Sequence, residues 1–131
     1  MHPFSTTAPI IGEMEQVITI SAAARITKAA QVMTEWNVGC LVVVNEFHEV
    51  VGIITERDVL GWVSSATPES HFAEVGDLMS KNVITCPPDT PPEEVYRIMV
   101  RHRIRHLPVV RNGKPVAMIS ARDVLDDLDE E

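Results

Sequence analysis

Apolar positions in this chain switch between a strand-like and a helix-like spacing, and the switching occurs twice. Val17-Ile18-Thr19-Ile20 is a short β-rich run. Ile26, Ala29, Ala30 and Met33 then fall at i, i+3, i+4 and i+7, with Trp36 beyond them, which predicts a helix with one apolar face. Leu41 to Val44 and Val50 to Ile54 are apolar and largely β-branched. The polar tip Asn45-Glu46-Phe47-His48-Glu49 between them makes the pair a hairpin. A second helix is expected from near Glu56 towards Val63.

The same order returns further on. Val17-Ile18-Thr19 reappears as Val83-Ile84-Thr85, Met33 as Met99, and Leu41-Val42-Val43-Val44 as Leu107-Pro108-Val109-Val110. Ile53-Ile54-Thr55-Glu56-Arg57-Asp58-Val59-Leu60 comes back as Met118-Ile119-Ser120-Ala121-Arg122-Asp123-Val124-Leu125. One duplicated module of about 65 residues accounts for this, with one extra residue in the first copy's polar tip. Each copy reads β-α-β-β-α. Ser64 to Ser70 has the composition of a linker. Val75-Gly76-Asp77-Leu78-Met79 is expected to open the second copy as a short helix, with Ile11-Gly12-Glu13-Met14 as its clipped counterpart. Thr90-Pro91-Pro92-Glu93 predicts a helix start with Thr90 as N-cap, Pro91 at the first helical position and Glu93 completing a capping box. Val95, Ile98, Met99 and His102 continue at helical spacing. Leu107 to Val110, the turn Arg111-Asn112-Gly113-Lys114 and Val116 to Ile119 make the second hairpin. The expected organisation is a tail at 1–9, a first repeat at 10–66, a linker at 67–74, a second repeat at 75–128 and an acidic tail at 129–131. The fold class is α+β. Each module is small for a core of its own, so the two are expected to pack sheet against sheet.

Composition narrows the picture. The chain has 131 residues, 45% hydrophobic and 23% charged, as in an ordinary globular protein. No apolar run approaches the roughly 18 residues of a membrane span. Met1 to Gln16 lacks a basic start followed by an apolar block, so a cytoplasmic location is expected. A net charge of −8 opposes a general nucleic-acid surface and attachment to anionic lipid. Arg101-His102-Arg103-Ile104-Arg105-His106 is a local basic cluster against that background, while Asp126, Asp127, Asp129, Glu130 and Glu131 read as a solvated tail. Cys40 and Cys86 have no CxxC or Cys/His ligand spacing, so structural zinc is unsupported and the thiols are expected to stay reduced.

The chemistry lies in Thr55-x-x-Asp58 and Ser120-x-x-Asp123, which admit two readings. A hydroxyl followed by an acid three residues later, between a strand and an apolar run, is a helix-capping signature. A strand end leading into a helix N-terminus also favours a polar or anionic ligand, and an aspartate there can accept from vicinal hydroxyls as it does from ribose. A nucleotide needs cations for its phosphate, and Arg105 and His106 beside the Leu107 strand can supply them. Arg101 and Arg103 suit a solvated helix end. No nucleophile–base pair or metal set assembles from the spacing, so neither a catalytic nor a metal site is expected.

These stretches resemble a tandem pair of cystathionine-beta-synthase-type (CBS) domains, the Bateman module. The resemblance rests on Gly52-Ile53-Ile54-Thr55-Glu56-Arg57-Asp58, on Ile104-Arg105-His106-Leu107-Pro108-Val109-Val110 and on Ser120-Ala121-Arg122-Asp123, and covers about residues 10 to 128. It implies two repeats about a pseudo-twofold axis with two clefts for adenosine-containing ligands. In the first, Thr55 and Asp58 meet the ribose, Val83 and Ile84 line the base, and Arg105 and His106 face the phosphate. In the second, Ser120 and Asp123 meet the ribose, with Val17, Ile18, Gly39 and Cys40 opposite. Gly39-Cys40 stands where the other copy has Arg105-His106, and Ala117 stands where the first has Gly52, so the two sites are expected to be unequal. The implied protein is a regulatory sensor of AMP, ATP, NAD(H) or S-adenosylmethionine, with no required cofactor. A homodimer and a regulated protein partner are expected. The alternative is a structural protein-protein interaction module whose motifs are only caps.

Overall fold

The computed structural model describes residues 16–122 and 124. The expected lead-in at Ile11 to Met14, Asp123 and the acidic tail lie outside them. The fold is α+β, and the chain divides into two compact units, the first spanning Ile18–Val83.

In the first unit, β1 (Thr19–Ser21), α1 (Ile26–Trp36), β2 (Cys40–Val44), β3 (Val50–Thr55) and α2 (Glu56–Ser64) follow the predicted order. The sheet runs β1-β2-β3, with β1 parallel to β2 and β3 antiparallel to it. The tip between β2 and β3 is built by Asn45, whose Oδ1 accepts from the backbone N–H of Phe47 (3.0 Å) and Glu49 (2.9 Å). Ile26, Ala29 and Met33 of α1 pack with Ile20, Leu41, Val43 and Ile54 of the sheet. A 3₁₀ turn (Glu69–Phe72) occupies the expected linker, held by Trp62 Nε1–H donating to the carbonyl of Ser70 at 2.7 Å.

The short helix α3 (Val75–Leu78) forms where expected, and its contacts are with the first unit. Val75 N–H donates to the carbonyl of Ala24 and Gly76 N–H to that of Ala22, both at 2.8 Å, and the Val75 side chain is fully buried in the first core. Just beyond it, Ser80 pairs with Ile53 of β3. This approach explains Gly52, because a Cβ there would stand 2.4 Å from Met79 Sδ and 3.0 Å from the Ser80 carbonyl oxygen. Met79 and Ser80 of its own unit therefore require the glycine.

The second unit contains α4 (Pro92–His102), β4 (His106–Arg111) and β5 (Lys114–Ser120), followed by helical residues Ala121, Arg122 and Val124. Its core is the repeat image of the first, with Val95, Met99, Leu107, Val109 and Ile119 standing for Ala29, Met33, Leu41, Val43 and Ile54. β4 and β5 are antiparallel, joined at Asn112-Gly113 with both φ positive (54° and 80°), the twist-matched hairpin turn. Each hairpin has a register shift at the same place, between Val43 and Val44 and between Val109 and Val110.

Two expectations need correction. The strand expected at Val83-Ile84-Thr85 contracts to a single parallel bridge between Cys86 and Val109. In the first copy, the N–H groups of Val42 and Ala22 donate to the carbonyls of Ile18 and Val44, flanking β1. Pro108 and Pro88 hold the matching positions and have no N–H to give. The second correction concerns the start of α4. Pro91 is the N-cap, without a side-chain cap, and Pro92 is the first helical residue. Thr90 is buried, with its hydroxyl donating to the carbonyl of Pro87 at 2.8 Å.

Candidate functional site

The Thr55–Asp58 motif is a complete capping box at the start of α2. Thr55 N–H donates to Asp58 Oδ2 at 2.8 Å, the Thr55 hydroxyl donates to the same oxygen at 3.1 Å, and Asp58 N–H donates to Thr55 Oγ1 at 3.4 Å. Both residues are half-buried. All three bonds leave Asp58 Oδ1 unused. A carboxylate has about four acceptor sites, so the cap occupies half of the group.

Within the first unit, strand register brings Cys40 opposite Thr55, and the backbone N–H of Glu56 donates to the Gly39 carbonyl at 2.9 Å. In the second, His106 lies opposite Ser120, and the N–H of Ala121 donates to the Arg105 carbonyl at 2.8 Å. Each copy thus joins its own hydroxyl residue to its own residues before the hairpin: Thr55 with Gly39-Cys40, Ser120 with Arg105-His106. The resemblance assigns these neighbours to different ligand positions. Val17 and Ile18 are half-buried, and the Ile18 carbonyl accepts from Val42 N–H at 3.0 Å. Val83 and Ile84 are also half-buried, with Ile84 packed on the second core. Arg105 is exposed and His106 half-buried. Arg101 and His102 lie in the last turn of α4, where cations complement the helix dipole.

Cys40 and Cys86 are both buried and form no disulfide. Burial pushes the Cys86 thiol above its ordinary value of 9.0; Asp89 adds to that and Thr90 opposes it. Cys86 takes the place in the second core that Ile20 holds in the first. Among the described residues, no group of three or more His, Cys, Asp or Glu is arranged to hold a metal ion, and no helix is long and apolar enough to cross a membrane.

Sequence reasoning missed Glu56. Its carboxylate rests on Gly39, where an added Cβ would stand 3.1 Å from both Cδ and Oε1. Together with Thr34, Asn37, Val38 and Leu60 these two residues line a concavity of about 630 Å³. The signal was available in the repeat, which sets Glu56 against Ala121 and Gly39 against Arg105.

Comparison with known proteins bears on what this arrangement does. The CBS domain family description matches residues 11–65 and 75–130. An uncharacterized protein of Methanopyrus kandleri is 37% identical over 118 residues, which are 88% of this chain and 60% of that protein. Against two further curated relatives, the chain spans 65% and 49% of their length. Among solved structures, a CBS-domain containing protein from Agrobacterium tumefaciens is similar at 32% identity and a TM-score of 0.76, over 87% of this chain and 85% of that one. The CBS domain pair of protein MJ0100, solved in complex with 5′-methylthioadenosine and S-adenosyl-L-methionine, is similar at 26% identity and a TM-score of 0.76, over 86% and 91% of the two chains.

Proposed function

Because the chain belongs to the CBS-domain family and carries two copies of the domain, we propose that it is a regulatory ligand-binding module for AMP or a related adenosine-containing compound. The observation that carries this reading is the similarity, over most of both chains, to a CBS pair crystallised with two adenosine compounds. The geometry is compatible with it, since the Thr55–Asp58 box leaves Asp58 Oδ1 to accept a ribose hydroxyl. In this proposal Thr55, Asp58, Ser120 and Asp123 meet ribose hydroxyls. Arg105 and His106 meet phosphate, and Val17, Ile18, Gly39, Cys40, Val83 and Ile84 complete the surroundings. Binding acts by favouring one of two arrangements of the protein, which a partner or a second copy of the chain then reads. The protein performs no catalysis of its own and works in the cytoplasm.

The test is a thermal-shift and calorimetric series with AMP, ADP, ATP, NAD(H) and S-adenosylmethionine. At a hundredfold excess over Kd, AMP is expected to raise Tm by roughly 10 °C, and Asp58→Ala to abolish the rise. Failure of all five compounds to bind sinks the reading.

A second reading, a structural interaction module with no small ligand, draws on the capping box and on exposed apolar residues of the helices. These are Trp36, Leu60 and Val63 in the first unit and Tyr96 and Val100 in the second. Native mass spectrometry of freshly purified protein separates the two, because a retained nucleotide adds its mass.

A further inference from the structure

At one backbone position, the two copies have exchanged charge. The bonds from Glu56 N–H to the Gly39 carbonyl (2.9 Å) and from Ala121 N–H to the Arg105 carbonyl (2.8 Å) occupy the same place in each copy. Each ties the residue after the hairpin's last strand to the residue before its first. One copy has the Glu56 carboxylate over Gly39 there, and the other pairs Arg105 with Ala121 through the backbone. The two positions are neighbours in space, because a Cβ at residue 39 would stand in close contact with the Glu56 carboxylate, at 3.1 Å. A side chain at 39 would require the exposed Glu56 carboxylate to shift.

Neither charge is neutralised locally. Both side chains are exposed, and neither takes part in the Arg97–Glu94 ion pair of α4, so Glu56 and Arg105 each face solvent or a ligand. The Glu56 carboxylate forms part of the wall of the 630 Å³ concavity, a volume within the usual range for small-molecule sites. An acid in the first turn of α2 also suits the helix dipole. That role asks nothing of residue 39, however, and accounts for neither the glycine beneath the carboxylate nor the arginine opposite Ala121 in the repeat.

We infer that Glu56 is a specificity-determining residue, which disfavours phosphate where Gly39 contributes to ligand binding and favours an adenosine compound with an uncharged or cationic 5′ substituent. Arg105, with Ala121 beside it, admits a phosphate where it contributes. This rests on the adenosine-ligand reading and deepens it: the chain takes one phosphorylated and one unphosphorylated adenosine compound, not two of one kind.

The experiment is titration calorimetry of the full chain with AMP, S-adenosylmethionine and adenosine, on the unmodified protein and on Glu56→Gln and Ala121→Glu. The unmodified chain is expected to bind AMP tightly at one position, and S-adenosylmethionine at another where AMP binds only weakly. Glu56→Gln keeps the side-chain shape and the Thr55–Asp58 box. It is expected to strengthen the weaker AMP event about tenfold, weaken S-adenosylmethionine about tenfold and leave adenosine unchanged, as a single-charge interaction near a protein surface implies. Ala121→Glu is expected to weaken the stronger AMP event about tenfold. An unchanged Tm and circular dichroism spectrum for Glu56→Gln establish that its fold is intact. If the unmodified chain binds AMP and Glu56→Gln alters neither AMP nor S-adenosylmethionine affinity, the inference is overturned while the adenosine reading stands. If none of the three compounds binds the unmodified chain, the inference falls, and the adenosine reading falls with it if ADP, ATP and NAD(H) also fail.

Discussion

Thr55 and Asp58 show that a capping residue and a ligand residue need not be alternatives. Asp58 spends one oxygen on the backbone and hydroxyl of Thr55 and keeps the other. Asp58→Ala is therefore expected to cost about 1 kcal/mol of stability without any ligand, the usual worth of a lost cap. Asp58→Asn, which retains an acceptor, is expected to cost less than half of that. Urea melts of ligand-free protein measure both, and a neutral Asp58→Ala would show that the box contributes nothing to folding. The ligand test on Asp58→Ala must therefore compare shifts in Tm, not Tm itself. This motif was legible in the sequence because a capping box is a contact three residues long. The cap of α4 was misread because Thr90-Pro91-Pro92 offers two prolines for the first helical position. Burial of Thr90 beside Pro87, a tertiary fact, selects the second.

At the scale of elements, the copies share devices that local pattern conceals. α1 and α4 end the same way, with Asn37 and Arg103 in the left-handed conformation at φ 54° and 55°. Asparagine tolerates that region through its short polar side chain, whereas arginine gains nothing there. Arg103→Asn is thus expected to stabilise the protein by about 0.5–1 kcal/mol and raise Tm by a few degrees, measurable by scanning calorimetry. A lowered Tm would mean that the Arg103 side chain contributes more than its backbone costs. The hairpins were readable from Asn112-Gly113 and from the β-branched runs on either side of each tip. The contraction of the second copy's first strand was readable too, had Pro88 and Pro108 been set against Ala22 and Val42 as missing donors.

For the molecule as a whole, each unit carries one buried thiol, Cys40 on β2 of the first unit and Cys86 within the core of the second. Neither is expected to react with a disulfide-exchange reagent in the native protein, and both are expected to react in denaturant. Prompt reaction of one thiol under native conditions would identify a unit that opens on its own. Cys86 also sets a sign for alkaline stability. Its thiol is raised when folded, so above pH 9.0 the unfolded chain loses that proton while the native state keeps it. Stability is accordingly unaffected by this group below pH 9.0 and falls as pH rises beyond it.

The sequence by itself determined the duplication, the order β-α-β-β-α in the first copy, both hairpins and the capping motif, because each depends on spacing within a few turns or strands. Only the tertiary structure decided where α3 belongs. Val75 completes the first core although it follows the linker, since two copies of one module offer chemically similar faces and no local pattern can say which will bury a short apolar run. The same holds for Glu56 on Gly39, seventeen residues apart in the chain and adjacent only through the register of β2 and β3.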